Sequence, residues 1–284
     1  SAKIILNEVT GSNISNLNGT LEVAGQRADV IIANPNGIVG NNFTLINTNR
    51  AVLTTGVPTF GGSGSLERFR VTKGEIRVED DGINAVDTEK IDLIARAVVI
   101  NEDINAKEIN IVTGSNDVKY DDLTTTKIAG DVNKPTVGID VGELGGMYAH
   151  KITMVGTEKG VGVVNAGTIE TSEGNLTLTN DGKITLKNNV KAKGNINITA
   201  TDDIDNSGKI NSGLSTTIIG KNINNSSELN AGELGSLDES NLVVKADENI
   251  TLTGSQSANS NINIEAKNIK NNSTKTSANN DINI

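Results

Sequence analysis

The chain has 284 residues with no Cys or Trp, three Phe, two Tyr, two Met, one His and three Pro, so a core of large rings is excluded. A net charge of −10 and a pI near 4.7 argue against nucleic acid or an anionic membrane as partner, since both need clustered Lys and Arg. Zero Cys removes disulfides, thiolate catalysis and Cys-ligated zinc together. What remains is dominated by 40 Asn and 33 Ile, with Val, Thr and Leu for pleated surfaces and Gly and Asp for turns. This is an all-β composition, and no stretch approaches the roughly 18 apolar residues of a membrane-spanning helix. Ser1-Ala2-Lys3-Ile4-Ile5 offers neither a start Met nor a signal pattern, and reads as a cut inside a longer protein.

In chain order, residues 3–9, 19–23 and 29–33 read as strands separated by Asn/Gly turns. Residues 69–78 predict a hairpin attached outside the main body. Phe69 and Val71 would share a face with Ile76 and Val78 across a Lys73-Gly74 turn. Residues 91–100 also fit a helical face, but Val98-Val99-Ile100 and the following Ile109-Asn110-Ile111-Val112 favour strands.

From about residue 160 the chain becomes a string of short β-type runs. Leu176-Thr177-Leu178, Ile184-Thr185-Leu186, Ile196-Asn197-Ile198 and Ile262-Asn263-Ile264 alternate strictly, so one set of side chains faces inward. Taking turn Asn residues as markers, Asn165, Asn188, Asn206 and Asn225 recur with a period near 20. The stretch 232–240 interrupts this pattern and reads as a surface insertion. Two or three short strands per 20 residues suit a parallel β-helix, in which each rung buries its face only by stacking on neighbours. An antiparallel sandwich would need hairpin turns joining longer strands.

The segment Gln26-Arg27-Ala28-Asp29-Val30-Ile31-Ile32-Ala33-Asn34-Pro35-Asn36-Gly37-Ile38 resembles the secretion domain of the filamentous haemagglutinin family, the exported partners of two-partner secretion. Leu53-Thr54-Thr55-Gly56, Ile94-Ala95-Arg96-Ala97-Val98, Gly145-Gly146-Met147-Tyr148-Ala149 and Thr157-Glu158-Lys159-Gly160-Val161-Gly162-Val163 extend the resemblance. It implies a right-handed parallel β-helix with extra-helical hairpins, divided into a secretion domain over 1–155 and haemagglutinin-type repeats over 156–284. It also implies export to the cell surface through an outer-membrane transporter with periplasmic recognition domains, and leaves an adhesin, a haemolysin-like protein and a contact-dependent growth-inhibition toxin open for the whole protein. Where many relatives carry a Cys pair, this chain has Gly40-Asn41-Asn42-Phe43. An upstream cap bearing a second Asn-Pro-Asn motif would precede Ser1.

Asn34, Pro35, Asn36 and Gly37 are the candidate site residues. Pro fixes φ, while Asn and Gly tolerate left-handed turns, so a tight corner with Asn side chains satisfying backbone groups is expected. The resemblance makes the same four residues a secretion determinant. Glu79-Asp80-Asp81-Gly82, Asp121-Asp122 and Asp202-Asp203 lack the spacing of a calcium loop and read as solvated turns. His150 has no nucleophile or carboxylate motif around it. Catalysis on sugars would need converging carboxylates and aromatic platforms, so no enzyme and no cofactor is expected. The rival reading is a module that itself binds a host receptor or glycan.

Overall fold

A computed structural model describes residues 3–233 and 236–284; Leu234 and Gly235, within the stretch read as an insertion, lie outside the described residues. Every regular element described is a strand. The strands stack in three parallel ladders, so each coil of the chain contributes one strand to each of three faces.

The first face runs through Ile4–Glu8, Ala28–Ala33, Thr48–Thr54, Lys90–Ala95, Glu108–Thr113, Lys151–Gly156, Leu176–Asn180 and Ile196–Ala200, each paired parallel with the next, with a register shift between Ala28 and Val30. The second includes Ala97–Ile100, Val137–Val141, Gly162–Asn165, Ile184–Leu186 and Ile204–Asn206. The third includes Asp103–Ala106, Gly146–Ala149, Thr168–Thr171, Val190–Ala192 and Ile210–Ser212. Ser15–Glu22, Ile38–Ile46 and Glu75–Ala85 run around a corner from second to third face; a register shift marks the bend in the pairings of Ile38–Ile46 with each of the other two. The fold is the expected parallel β-helix.

Alternation decides what each face buries. Leu176, Leu178, Ile184, Leu186, Ile196, Ile198 and Ile204 are all at most 2% exposed and line one continuous core. Ile152, Leu176 and Ile196 stand directly above one another, as do Ile184, Ile204 and Ile223. Each such side chain contributes roughly 1.5–3 kcal/mol when taken fully from water, but only because the rungs above and below close over it.

Two details differ from expectation. The turn marker Asn188 is out of register: Leu186 occupies the ladder place between Asn165 and Asn206. Asn188 instead donates from the turn to the Ala166 carbonyl at 3.2 Å. Buried Asn206 and Asn225 share that ladder place and are linked at 2.7 Å, which is why Asn-to-Asn spacing nearly revealed the period. The interruption at 232–240 lengthens the rung, and the hydrogen bond between Asn241 and Ser215 spans 26 residues, against 20 between Ser215 and Asn195.

The second correction concerns residues 69–78. Leu66–Val71 and Glu75–Ala85 are not a hairpin. Leu66–Val71 pairs antiparallel with Val57–Phe60 and with Asn116–Lys119, and Thr125–Lys127 completes a four-stranded outer sheet built of two hairpins. Ile76 and Val78 enter the solenoid core instead. Both halves are buried and alternate alike, but they face two different cores. The outer sheet packs Phe69, Val71 and Val118 onto Ile31, Val52, Ile94 and Val112, the outward residues of the first face. That face is therefore buried on both sides, which explains the uninterrupted apolar run Val30-Ile31-Ile32.

Candidate functional site

Asn34-Pro35-Asn36-Gly37 turns the chain from the first face to the second. The Gly37 N–H donates to the Asn34 carbonyl at 3.2 Å, closing a four-residue turn with Pro at its second position. The side chain of Asn34 is fully buried. Its Nδ2 donates to the Asn13 carbonyl at 2.9 Å and to Ser15 Oγ at 2.8 Å, while its Oδ1 accepts the Asn36 N–H at 3.0 Å. Asn36 Nδ2 donates to the Gly11 carbonyl at 2.7 Å and to Asn34 Oδ1 at 2.9 Å. The two amides thus stitch this corner to the corner of the preceding rung. The left-handed backbone falls on Gly37, at φ 129°, and not on Asn36.

The corner is covered from outside. A Cβ on Gly74, at φ 95°, would lie 2.6 Å from Thr55 Cβ and 2.8 Å from the Pro35 carbonyl oxygen, so only glycine fits where the chain leaves the outer sheet for the second face. Thr55 receives the next rung, its N–H donating to the Ile94 carbonyl at 3.0 Å.

Two residues further along, the same corner holds Arg96. Its side chain is 6% exposed and grips Glu158 with two bonds, Nη2 to Oε1 at 2.8 Å and Nε to Oε2 at 3.2 Å. Nη1 donates to the Asp131 carbonyl at 2.6 Å and the Thr72 carbonyl at 3.2 Å. One guanidinium therefore ties a rung, the exit from the outer sheet, the segment leading back to the second face, and a rung 62 residues later. Arg96 and Glu158 both lie in segments that carry the family resemblance, but their pairing has no signature in spacing. Asn116 and Thr157 add a buried bond at 2.7 Å beside them.

A second network pins the far side of the outer sheet. The Arg50 guanidinium lies 4.2 Å from the Tyr120 ring centre and donates from Nε to Asp92 Oδ2 at 2.6 Å. Asp92 is fully buried and also accepts from Asn110 at 2.9 Å. Tyr120 donates to Asp29 at 2.5 Å. Burial first, then that carboxylate, push the phenol above its ordinary pKa, so it remains a donor.

The other candidates fall apart from this corner. Asp80 accepts from Asn41 at 2.6 Å, Asp203 from Asn222 at 2.8 Å, and Asp122 from the Thr124 N–H at 2.9 Å, so these acids serve turns and ladders. Among the described residues no three His, Cys, Asp or Glu converge as metal ligands. His150 is about half exposed, with Glu173 3.5 Å away.

The model of the TPS secretion domain family matches residues 1–186. The chain is 46% identical over 178 residues to "tRNA nuclease CdiA-2" of Burkholderia pseudomallei (strain 1026b), which is 63% of this chain and 6% of that protein. It is 46% identical over 180 residues to "Toxin CdiA" of Yersinia pestis, 63% of this chain and 5% of that one. The chain thus spans about one twentieth of the length of these relatives. Among solved structures, the crystal structure of the filamentous hemagglutinin secretion domain aligns with a TM-score of 0.65 and 31% identity, covering 74% of this chain and 71% of that one. Solenoid, covered corner and sequence agree, and the chain belongs to the TPS secretion domain family.

Proposed function

We propose that this export module is read by the periplasmic domains of an outer-membrane transporter before it coils, and that the Asn34–Gly37 turn promotes secretion mainly by closing this corner of the fold onto the rung before it. The burial of Asn34 carries this reading: a side chain with no exposed surface is out of reach of any partner once the domain has folded. Membership of the family implies an outer-membrane transporter as partner and delivery to the cell surface. Residues 1–155 form the export domain proper, because all four strands of the outer sheet lie there, and residues 156–284 begin the repeat shaft, whose first coils anchor that sheet through Glu158 and Asp181. The nuclease and toxin names belong to relatives of which the matching segment is only 5–6%; this segment acts without catalysis, and whether the whole protein is an adhesin or a toxin carrier is set outside it.

The recognised element is an extended strand. In the folded chain the outer sheet offers poor edges: Val57–Phe60 contains Pro58, which has no N–H to give, and Thr125–Lys127 is three residues long with Lys127 paired to Asp181. A strand that has not yet stacked offers its whole backbone for β-augmentation, and the acidic chain favours basic patches on the transporter. Purified transporter periplasmic domains should bind the urea-diluted chain and release it progressively as refolding proceeds, with affinity falling as salt rises. Binding confined to the refolded chain would overturn the reading.

A further inference from the structure

Aromatic side chains are scarce here, and their placement is informative. Phe43, Phe69 and Tyr120 are buried, and Phe60 sits on the edge of the outer sheet. The remaining one, Tyr148, is placed half-buried on the outer wall of the third face. Its ring is folded down across Gly146: a Cβ there would come within 2.7 Å of Tyr148 Cε2 and 3.1 Å of Cζ. The ring is thus held along the wall instead of projecting from it. In register on either side stand Asn105, one rung before, and Glu170, one rung after. Together with Val86, His150 and Ser172 they line a shallow groove of about 230 Å³, smaller than the roughly 300–1,000 Å³ of a drug-sized site.

We propose that this groove is a subsite for a single neutral sugar ring, with Tyr148 as its stacking platform. A pyranose presents an apolar C–H face that packs on an aromatic plate and a rim of hydroxyls that need donors and acceptors. The wall supplies both within one rung spacing of about 4.8 Å. Asn105 and Glu170 flank the ring in register, and Asp103 Oδ1 lies 2.6 Å from where a Gly146 Cβ would be. The local charge selects against acidic sugars, because Asp103, Glu170 and Glu173 outnumber Lys191, which already lies 3.6 Å from Glu170. Covering Gly146 would by itself need only the ring; the amide and carboxylates on both flanks are what make a site. This inference is independent of the export reading, since it concerns the folded wall.

The test is a titration of the isotopically labelled chain, followed by amide shifts, with methyl α-D-mannopyranoside, methyl β-D-galactopyranoside and methyl β-D-glucopyranoside, and with 3′-sialyllactose as the anionic arm. At least one neutral glycoside should give saturable shifts confined to the neighbourhood of Asn105, Tyr148 and Glu170, with a dissociation constant in the millimolar range, as about one stacked ring allows. Tyr148→Ala should weaken binding about tenfold or more, Tyr148→Phe should retain it, and Asn105→Ala should weaken it with an unchanged melt. Because Tyr148→Ala also uncovers Gly146, the Phe and Asn105 variants keep the test valid if that variant unfolds. Absence of saturable shifts with every neutral glycoside, equal binding by Asn105→Ala, or preference for sialyllactose overturns the proposal. Secretion of Asn105→Ala at the normal level leaves the export reading untouched in either case.

Discussion

Glu158→Ala tests whether the covered corner is held by one ion pair. Arg96 is 6% and Glu158 16% exposed at the side chain, and the pair is bidentate, so it lies well inside the range where water no longer compensates. Removing the carboxylate leaves a buried guanidinium with only the Asp131 and Thr72 carbonyls. Breaking a buried pair from one side costs about 3–5 kcal/mol; the residual exposure of Glu158 places this one near the lower end, about 3 kcal/mol. At roughly 2–4 °C per kcal/mol for chains approaching this size, the melt should fall by about 6–12 °C. A solenoid need not unfold as one unit, so amide hydrogen exchange is the sharper assay. Protection should drop in Leu66–Val71 and Asn116–Lys119 and stay unchanged in Ile196–Ala200, forty residues beyond the lesion. Glu158→Gln, which keeps an acceptor, should fall between. Replacing both partners by apolar residues, Arg96→Met with Glu158→Leu, should recover most of the loss, since no charge is then left unpaired. A Glu158→Ala chain that melts within about 1 °C of the parent, with unchanged exchange in the outer sheet, would refute the reasoning.

Two further outcomes follow from the geometry. Ile196 is fully buried between Leu176 and Thr216, so Ile196→Asp should cost several kcal/mol and lower the thermal melt followed by far-UV circular dichroism; an unchanged melt would mean that the inward register is wrong. Asp181 is held below its ordinary value near 3.8, chiefly by its hydrogen bond with Lys127 of the outer sheet. A carboxyl depressed in the folded state stabilises above its unfolded value, and that contribution is lost as pH falls through the folded one. Asp181→Asn should therefore flatten the melting curve against pH below about pH 4 and lower it slightly at neutral pH; an acid limb identical to the parent's would count against the tether.

Legibility followed locality. Leu176/Leu178 and Ile196/Ile198 announce their inward faces through alternation alone, because a rung's burial pattern is written within five residues and repeated in the next. Phe69–Val78 was misread for the same reason. Alternation says which side of a strand is buried, but not against which core, and here the outer sheet and the solenoid divide the segment at Gly74. The turn at Asn34–Gly37 was legible because Pro and Gly punctuate it, yet the position of the left-handed residue was not, since Asn36 and Gly37 both tolerate it. Arg96 and Glu158 were visible only as members of two separate segments. Nothing in a charge's sequence neighbourhood records a partner 62 residues away. Asn116–Lys119 and Thr125–Lys127 were missed because such short, polar strands carry almost no apolar period.

The most direct measurement pairs thermal melting with transporter binding on Asn34→Ala. The substitution removes a fully buried amide and with it the bonds to Asn13, Ser15 and the Asn36 N–H, at a net cost of about 0.5–1.5 kcal/mol for each bond lost. The account predicts a clearly lowered melt and reduced secretion of the full-length protein, with the unfolded chain still binding the transporter's periplasmic domains at parental affinity. A variant that melts normally but no longer binds those domains would contradict it, and would make Asn34 a contact read directly by the transporter.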